Sequence, residues 1–153
     1  RFVARMLRDD ARAEDIVSET FIDVWKTAAR FEGRSAVGTW LLTIARNKAV
    51  SAMRRNRDQE LDEEAAGEIA DESDDPETQM QKQGKSALLR RCIERLSAEH
   101  REVIDLVYYH DKSVEEVAAI VGIPEGTVKT RMFHARKRLS ELAQAAGVDR
   151  GWP

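Results

Sequence analysis

Lys129, Arg131, Arg136, Lys137 and Arg138 fall within a ten-residue span, and no Asp or Glu interrupts residues 126–140. Cations at this density have one plain use, which is to neutralise phosphates. Thr127, Thr130, Phe133 and His134 are interleaved with them, and such side chains reach base edges when a helix lies in a major groove. On a helix, Thr127, Thr130, Phe133, His134 and Lys137 share one face. Lys129 and Arg136 then flank it on one side, with Arg131 and Arg138 on the other. A solvated basic face on an ordinary helical hairpin would carry the same charges, so the residues that position this face have to decide between the two readings.

Those residues spell two short helices and a tight turn. Ser113 followed by Glu116 is a capping box that starts a helix at Val114. Val117, Ala118 and Val121 form its apolar stripe, and Gly122 supplies the left-handed residue that ends it. Pro124 sets the second helix going. There Val128, Met132, Ala135 and Leu139 recur at i, i+4, i+7 and i+11, so they form a face that must be buried. A basic, polar face lies opposite them. This is the pattern of a helix-turn-helix DNA reader.

A second group of candidate residues lies in the N-terminal third. Val17, Phe21, Val24 and Ala28 make a stripe at helical spacing with Trp25 at its edge, while Asp15, Glu19, Asp23 and Lys26 fall on the far side. That acidic strip is either merely solvated or a docking surface. A further helix is expected to start after Gly33-Arg34-Ser35 and run to about Arg55, with Val37, Leu41, Ile44, Ala45 and Ala52 as its core side. Its other side shows Thr39, Thr43, Arg46, Asn47 and Arg54, with Trp40 at the margin. A helical Trp is usually core, yet one beside a basic face can stack on an unpaired base. The loop Phe31–Ser35 before this helix can frame a pocket for an extruded base.

The formal net charge of −3 hides three unlike segments. Residues 1–57 hold 12 Lys and Arg against 7 Asp and Glu, residues 58–86 hold 2 against 11, and residues 87–153 hold 11 against 10. The acidic middle has few large apolar residues and cannot offset the entropy of ordering. It reads as a flexible tether, either a solvated spacer or a polyanion able to occupy a nucleic-acid channel. Order is expected to return at Asp75-Pro76-Glu77, with a helix to about Leu96 that Gly84 weakens, and Ser97 caps the next, striped by Val103, Ile104, Val107 and Tyr108. The expected fold is therefore all-α, with two small helical domains joined by a flexible acidic linker. Residues 1–57 form the first, 58–76 the linker, 77–147 the second and 148–153 a tail.

The single Cys92 allows no internal disulfide, and LLRRCIERL places it on an apolar helix face as a buried, inert thiol. No apolar run approaches the roughly 20 residues that span a bilayer, and no signal peptide is visible, so a cytoplasmic protein is expected. RFVARMLRDD begins already inside a helix, so the chain is expected to lack the natural start of its first helix. No metal or cofactor is implied, because the three His residues have no ligand spacing with Cys92.

DIVSETFIDVWKTAARF followed by TWLLTIARNKAVSAMRR resembles the second conserved region of bacterial sigma factors. LSAEHREVIDLVYYHDKSVEEVAAIVGIPEGTVKTRMFHARKRL resembles their fourth, and an acidic linker with no intervening domain is similar to the extracytoplasmic-function class. The resemblance covers nearly the whole chain. It implies a non-enzymatic subunit that binds bacterial core RNA polymerase, places it on promoter DNA and helps to melt it, under the control of an anti-sigma factor. It further implies that Asp15, Glu19, Thr20, Phe21 and Asp23 dock on the polymerase clamp helices. Thr39, Trp40, Thr43, Arg46, Asn47, Arg54 and Arg55 would then meet the minus-ten element, and Thr127, Lys129, Thr130, Arg131, Phe133, His134, Arg136, Lys137 and Arg138 the minus-thirty-five element.

Two departures from the family pattern bear on specificity. Ser51 stands where the family usually has Asp, four residues after the Asn of IARN, and Phe133-His134 where it often has His-Arg. Promoter preference at those positions does not carry over. Three rival readings are a stand-alone ligand-sensing regulator, a DNA recombinase and a sequestering protein. The first needs a pocket or self-complementary surface that the sequence does not show. The second needs ordered carboxylates, whereas the densest acids lie in the linker, and the third would leave polymerase-dependent transcription absent.

Overall fold

A computed structural model of the chain describes residues 1–64 and 84–147. Helix α1 (Phe2–Leu7) buries Phe2 and Val3 and ends at Arg8, which takes the left-handed conformation with φ of 54°. Helix α2 (Asp10–Thr27) starts on Asp9, whose carboxylate accepts from the Arg12 backbone N–H at 3.1 Å, and closes in a 3-10 turn over Ala28–Arg30. Helix α3 (Val37–Glu64) is 28 residues long, roughly 42 Å at 1.5 Å per residue. These three form the N-terminal unit, in which α2 packs on both α1 and α3.

The buried face of α2 is Ala13, Ile16 and Thr20, not the expected Val17–Phe21–Val24–Ala28 stripe. Val17 and Val24 are half-buried, while Phe21 and Ala28 are exposed. The stripe was assigned one residue around the helix, because Ala13 and Thr20 are small enough for close approach but weak as apolar signals. On α3 the core residues are Ala45 and Ala49, and Val37 is exposed instead of buried. Alanines here let neighbouring helices come close. The helix also runs past the expected end at Arg55, so residues 58–64 of the expected linker are helical. Leu, Glu and Gln are good helix formers that extend an existing helix at little cost, and Asn56 donates to Glu60 one turn on, at 2.8 Å. The rest of the expected linker, the helix start at Asp75–Glu77 and the tail lie outside the described residues.

The C-terminal unit comprises α4 (Lys85–Glu94), α5 (Ala98–Ile104), α6 (Val114–Val121) and α7 (Glu125–Ala145). Ser97 caps α5 as expected, accepting from the His100 N–H. α5 passes directly into a π-helical turn, Asp105–Tyr109, an irregularity common at functional sites. Here Leu106 and Asp105 are buried, whereas Tyr108, expected in the stripe, is exposed. The wider π turn shifts the register, so a strict 3.6-residue period mispositions residues beyond Ile104. Val103, Leu106, Val117, Val128 and Ala135 are fully enclosed, and full burial of a large aliphatic side chain contributes about 1.5–3 kcal/mol. Cys92 is buried as expected, and burial pushes its thiol above the ordinary range, which suppresses the reactive thiolate.

The two units touch. α3 packs against α6, and Arg5 of α1 forms an ion pair with the buried Asp105 while its guanidinium lies 4.0 Å above the Tyr109 ring. Asp105 and Tyr109 are four residues apart on the π turn, which brings both to the same arginine. Phe2 meets the His110 ring edge-on at 5.7 Å. Burial, with Arg5 adding to it, holds His110 below its ordinary value. Among the described residues, no helix is long and apolar enough to cross a membrane.

Candidate nucleic-acid interface

The helix-turn-helix is built as its sequence requires. Ser113 accepts from the Glu116 N–H, Glu116 reaches back to the Ser113 N–H, and Gly122 ends α6 with φ of 73°. Pro124 is the N-cap of α7, and Val128, Met132, Ala135 and Leu142 bury its inner face, with Leu139 half-buried. That burial fixes the rotation of α7. Lys129, Thr130, Phe133, His134, Arg136, Lys137 and Arg138 are all exposed, and Thr127 and Arg131 are half-buried.

The cations of this face are not equally free. Arg131 lies 3.6 Å from Glu99, Arg138 pairs with Glu141 at 3.1 Å, and Arg136 donates to the Tyr108 hydroxyl at 2.8 Å. Lys129 and Lys137 have no partner among the described residues. The Thr130 hydroxyl donates to the Gly126 carbonyl at 3.0 Å, leaving its lone pairs for a base. Phe133 is 64% exposed with its ring against His134, an arrangement suited to pressing on a thymine methyl.

On α3 the structure separates residues that the sequence grouped together. Asn47, Arg54 and Arg55 are exposed. Thr39 is buried and donates to Glu116 at 2.7 Å, and Arg46 donates to both carboxylate oxygens of Glu102, at 2.5 and 3.4 Å. Thr43 donates to the Thr39 carbonyl. The expectation that Thr39 stands on an open polar face is therefore corrected: in this arrangement it faces α6. Trp40 is half-buried and stacked on Phe31, with centroids 4.6 Å apart. The two rings line a cavity of about 500 Å³ together with Arg30, Arg34, Asp23 and Ile44, which is the pocket that the Phe31–Ser35 loop was expected to frame.

On α2, Asp15 and Glu19 are exposed. Asp23 is tied to Lys48 of α3 at 2.6 Å. Thr20 belongs to the core and donates to the Ile16 carbonyl at 2.7 Å, so it is removed from the outward docking set. Sequence reasoning placed Phe21 on this surface but left out Ile22 and Trp25. Phe21, Ile22 and Trp25 are 60%, 53% and 88% exposed on the same helix. The available signal was a helix with more large apolar residues than one stripe can bury.

Glu116 links both halves of the site. Its carboxyl is held down to about 2, first by the Thr39 hydroxyl and then by the Ser113 backbone N–H, with Lys112 adding. A folded value below the ordinary 4.5 means that the stabilisation is complete above pH 4.5 and is lost as the pH falls toward 2. Glu116→Gln is expected to flatten the pH dependence of urea-unfolding stability in that window. Equal slopes in the two proteins would show that the Thr39 contact does not form in solution.

The N-terminal residues 1–59 match the family described as Sigma-70 region 2, and residues 86–139 match Sigma-70 region 4. The chain is 35% identical over 155 aligned positions to the ECF RNA polymerase sigma factor SigL of Mycobacterium tuberculosis, covering 98% of this chain and 85% of that one. It is 33% identical to the ECF RNA polymerase sigma factor RpoE of Cereibacter sphaeroides, covering 86% and 72%. Its structure is similar to that of the sigma factor RpoE in complex with the anti-sigma factor NepR from Bartonella quintana, with a TM-score of 0.74 and 33% identity over 97% of this chain and 89% of that one.

Proposed function

This chain belongs to the extracytoplasmic-function class of the sigma-70 family of RNA polymerase sigma factors, whose members direct transcription initiation, and we propose a role for each of its surfaces in that process. α7 reads the minus-thirty-five element, with Thr130, Phe133 and His134 toward the bases and Lys129, Arg131, Arg136, Lys137 and Arg138 toward the phosphates. α3 captures the melted minus-ten strand, with Asn47 on a base, Arg54 and Arg55 on phosphates, and the Trp40–Phe31 cavity taking an extruded base. α2 docks on the polymerase clamp through Phe21, Ile22 and Trp25, with Asp15 and Glu19 beside them.

The observation that carries this reading is the orientation of α7, whose apolar residues are buried and whose polar and basic residues lie on the other side. The work is done by binding, without a chemical step of its own. Unstacking costs a few kcal/mol per step and aromatic stacking returns about 1–3 kcal/mol per base, so holding two elements at once through a tether makes melting productive. The protein acts in the cytoplasm and is held in check by an anti-sigma factor, as the RpoE of the NepR complex is paired with one.

Asn47→Ala is expected to reduce open complexes by roughly tenfold, the loss of one good base contact, while leaving duplex binding by α7 intact. Permanganate reactivity of unpaired thymines in the holoenzyme–promoter complex measures this. Unchanged reactivity would remove α3 from the melted strand.

A further inference from the structure

Val50, Met53, Arg54 and Arg57 recur at i, i+3, i+4 and i+7, so they share one side of α3. All four line a cleft of about 380 Å³ that α1 and α5 also bound, a size within the roughly 300–1,000 Å³ usual for ligand pockets. Its lining is of two kinds. Phe2 and Met6 of α1 join Val50 and Met53 as an apolar part, and Arg101 of α5 joins Arg54 and Arg57 as cations.

The carboxylates of the cleft are already engaged. Glu99 lies 3.6 Å from Arg131, Glu102 holds Arg46 and Asp105 holds Arg5. Arg54 and Arg57, by contrast, are exposed and have no partner among the described residues, and Arg101 donates to the Glu94 backbone carbonyl at 3.3 Å. Burial, with Arg8 adding to it, holds the Arg101 guanidinium below its ordinary value, as befits a positive charge short of counter-charge. Side chains three apart on a helix start about 5–6 Å from one another, near enough for Arg54 and Arg57 to grip one anion. Two guanidinium forks offer more donors than the two oxygens of a carboxylate can take in good geometry, whereas a terminal phosphate presents three.

We propose that this cleft binds a small organic phosphate, with its phosphate between Arg54 and Arg57 and its apolar body on Phe2, Met6, Val50 and Met53. The site stands independently of the reading of α3 as the minus-ten helix, in which Arg57 has no part. The ligand touches both units, so its binding adds to the stability of the folded chain.

The test is isothermal titration calorimetry of the full chain at physiological salt, with adenosine monophosphate, decyl phosphate and inorganic phosphate as probes. At least one ester is expected to bind at one site per chain, about tenfold or more tighter than inorganic phosphate, which is what burying some two methylene groups supplies. Preference for the adenosine ester assigns a nucleotide, and preference for the decyl ester a lipid phosphate. Arg57→Ala is expected to weaken the ester by about tenfold, the loss of one charged hydrogen bond, and Arg57→Glu by more. Both leave the ligand-free melting temperature unchanged, because Arg57 is exposed and unpartnered. Met53→Gln is expected to weaken the ester and not inorganic phosphate. Esters that bind no tighter than inorganic phosphate would overturn the proposal, as would undiminished affinity in both Arg57 variants. Loss of binding in Lys129→Ala with Lys137→Ala but not in Arg57→Glu would overturn it by placing the phosphate on α7.

Discussion

Lys129→Ala combined with Lys137→Ala is expected to weaken binding of the holoenzyme to the upstream promoter element by about 30-fold near 0.15 M salt, and to reduce the slope of log affinity against log salt by about 2. The figure follows from counterion release. Each phosphate contact contributes about 0.9 to the slope, which at that salt is roughly fivefold in affinity, and two contacts multiply. These lysines are the suitable pair because neither has a partner within the described residues, so removing them breaks nothing in the fold. Arg131→Ala should have a smaller net effect, since Glu99 already neutralises part of that charge. The loss should be nearly independent of promoter sequence, because phosphate contacts position the protein and do not read bases. A double variant with an unaltered salt slope would show that α7 faces away from DNA.

The second large effect is expected at Trp25. Trp25→Ala should reduce affinity for core polymerase by about 30-fold or more, the roughly 2 kcal/mol loss typical of an aromatic interface anchor. Trp25 is 88% exposed, so its removal should leave thermal stability within about 0.5 kcal/mol of the parent. Asp15→Ala with Glu19→Ala should act differently, slowing association and weakening its salt dependence more than it speeds release, because rim charges mainly steer encounter. Binding of each variant to immobilised core polymerase separates the two rates. Undiminished affinity in all of them would take the clamp contact away from α2.

The ends of the helix-turn-helix were legible in the sequence because the local signals agreed, although Ile120, 2% exposed, was left out of the first helix's stripe and Ala118 is only half-buried. The Ser113–Glu116 box, Gly122 and Pro124 mark the ends, and the Val128, Met132 and Ala135 spacing fixes which side is buried. The N-terminal unit was less legible for a physical reason. Beside Phe2, Val3 and Ile16, its core uses Ala13, Thr20, Ala45 and Ala49, small residues that allow close packing but register weakly in any apolar pattern, while the large residues Phe21, Ile22 and Trp25 stand outside. The Val17–Phe21–Val24 stripe therefore outweighs Ala13, Ile16 and Thr20 in the pattern, although the latter are the buried side.

What the sequence could not show was the pairing of Arg46 with Glu102 and of Thr39 with Glu116, which lie 56 and 77 residues apart. Each residue looks like an ordinary solvated polar group on its own helix, and only the meeting of α3 with α5 and α6 joins them. The π turn at Asp105–Tyr109 was hidden in the same way, since an added residue per turn leaves no trace in composition. Both features concern how the units meet, which local periodicity does not encode.

The most direct test of the central claim is run-off transcription, with the purified chain added to bacterial core polymerase and a library of random promoter templates, followed by sequencing of transcript ends. The account requires transcripts with defined starts, from templates that share two short elements at a fixed separation. It further requires that Lys129→Ala with Lys137→Ala lower transcript yield without changing which upstream sequence is preferred, and that Asn47→Ala weaken dependence on the downstream element. Transcripts no more abundant or better defined than those of core polymerase alone would contradict it.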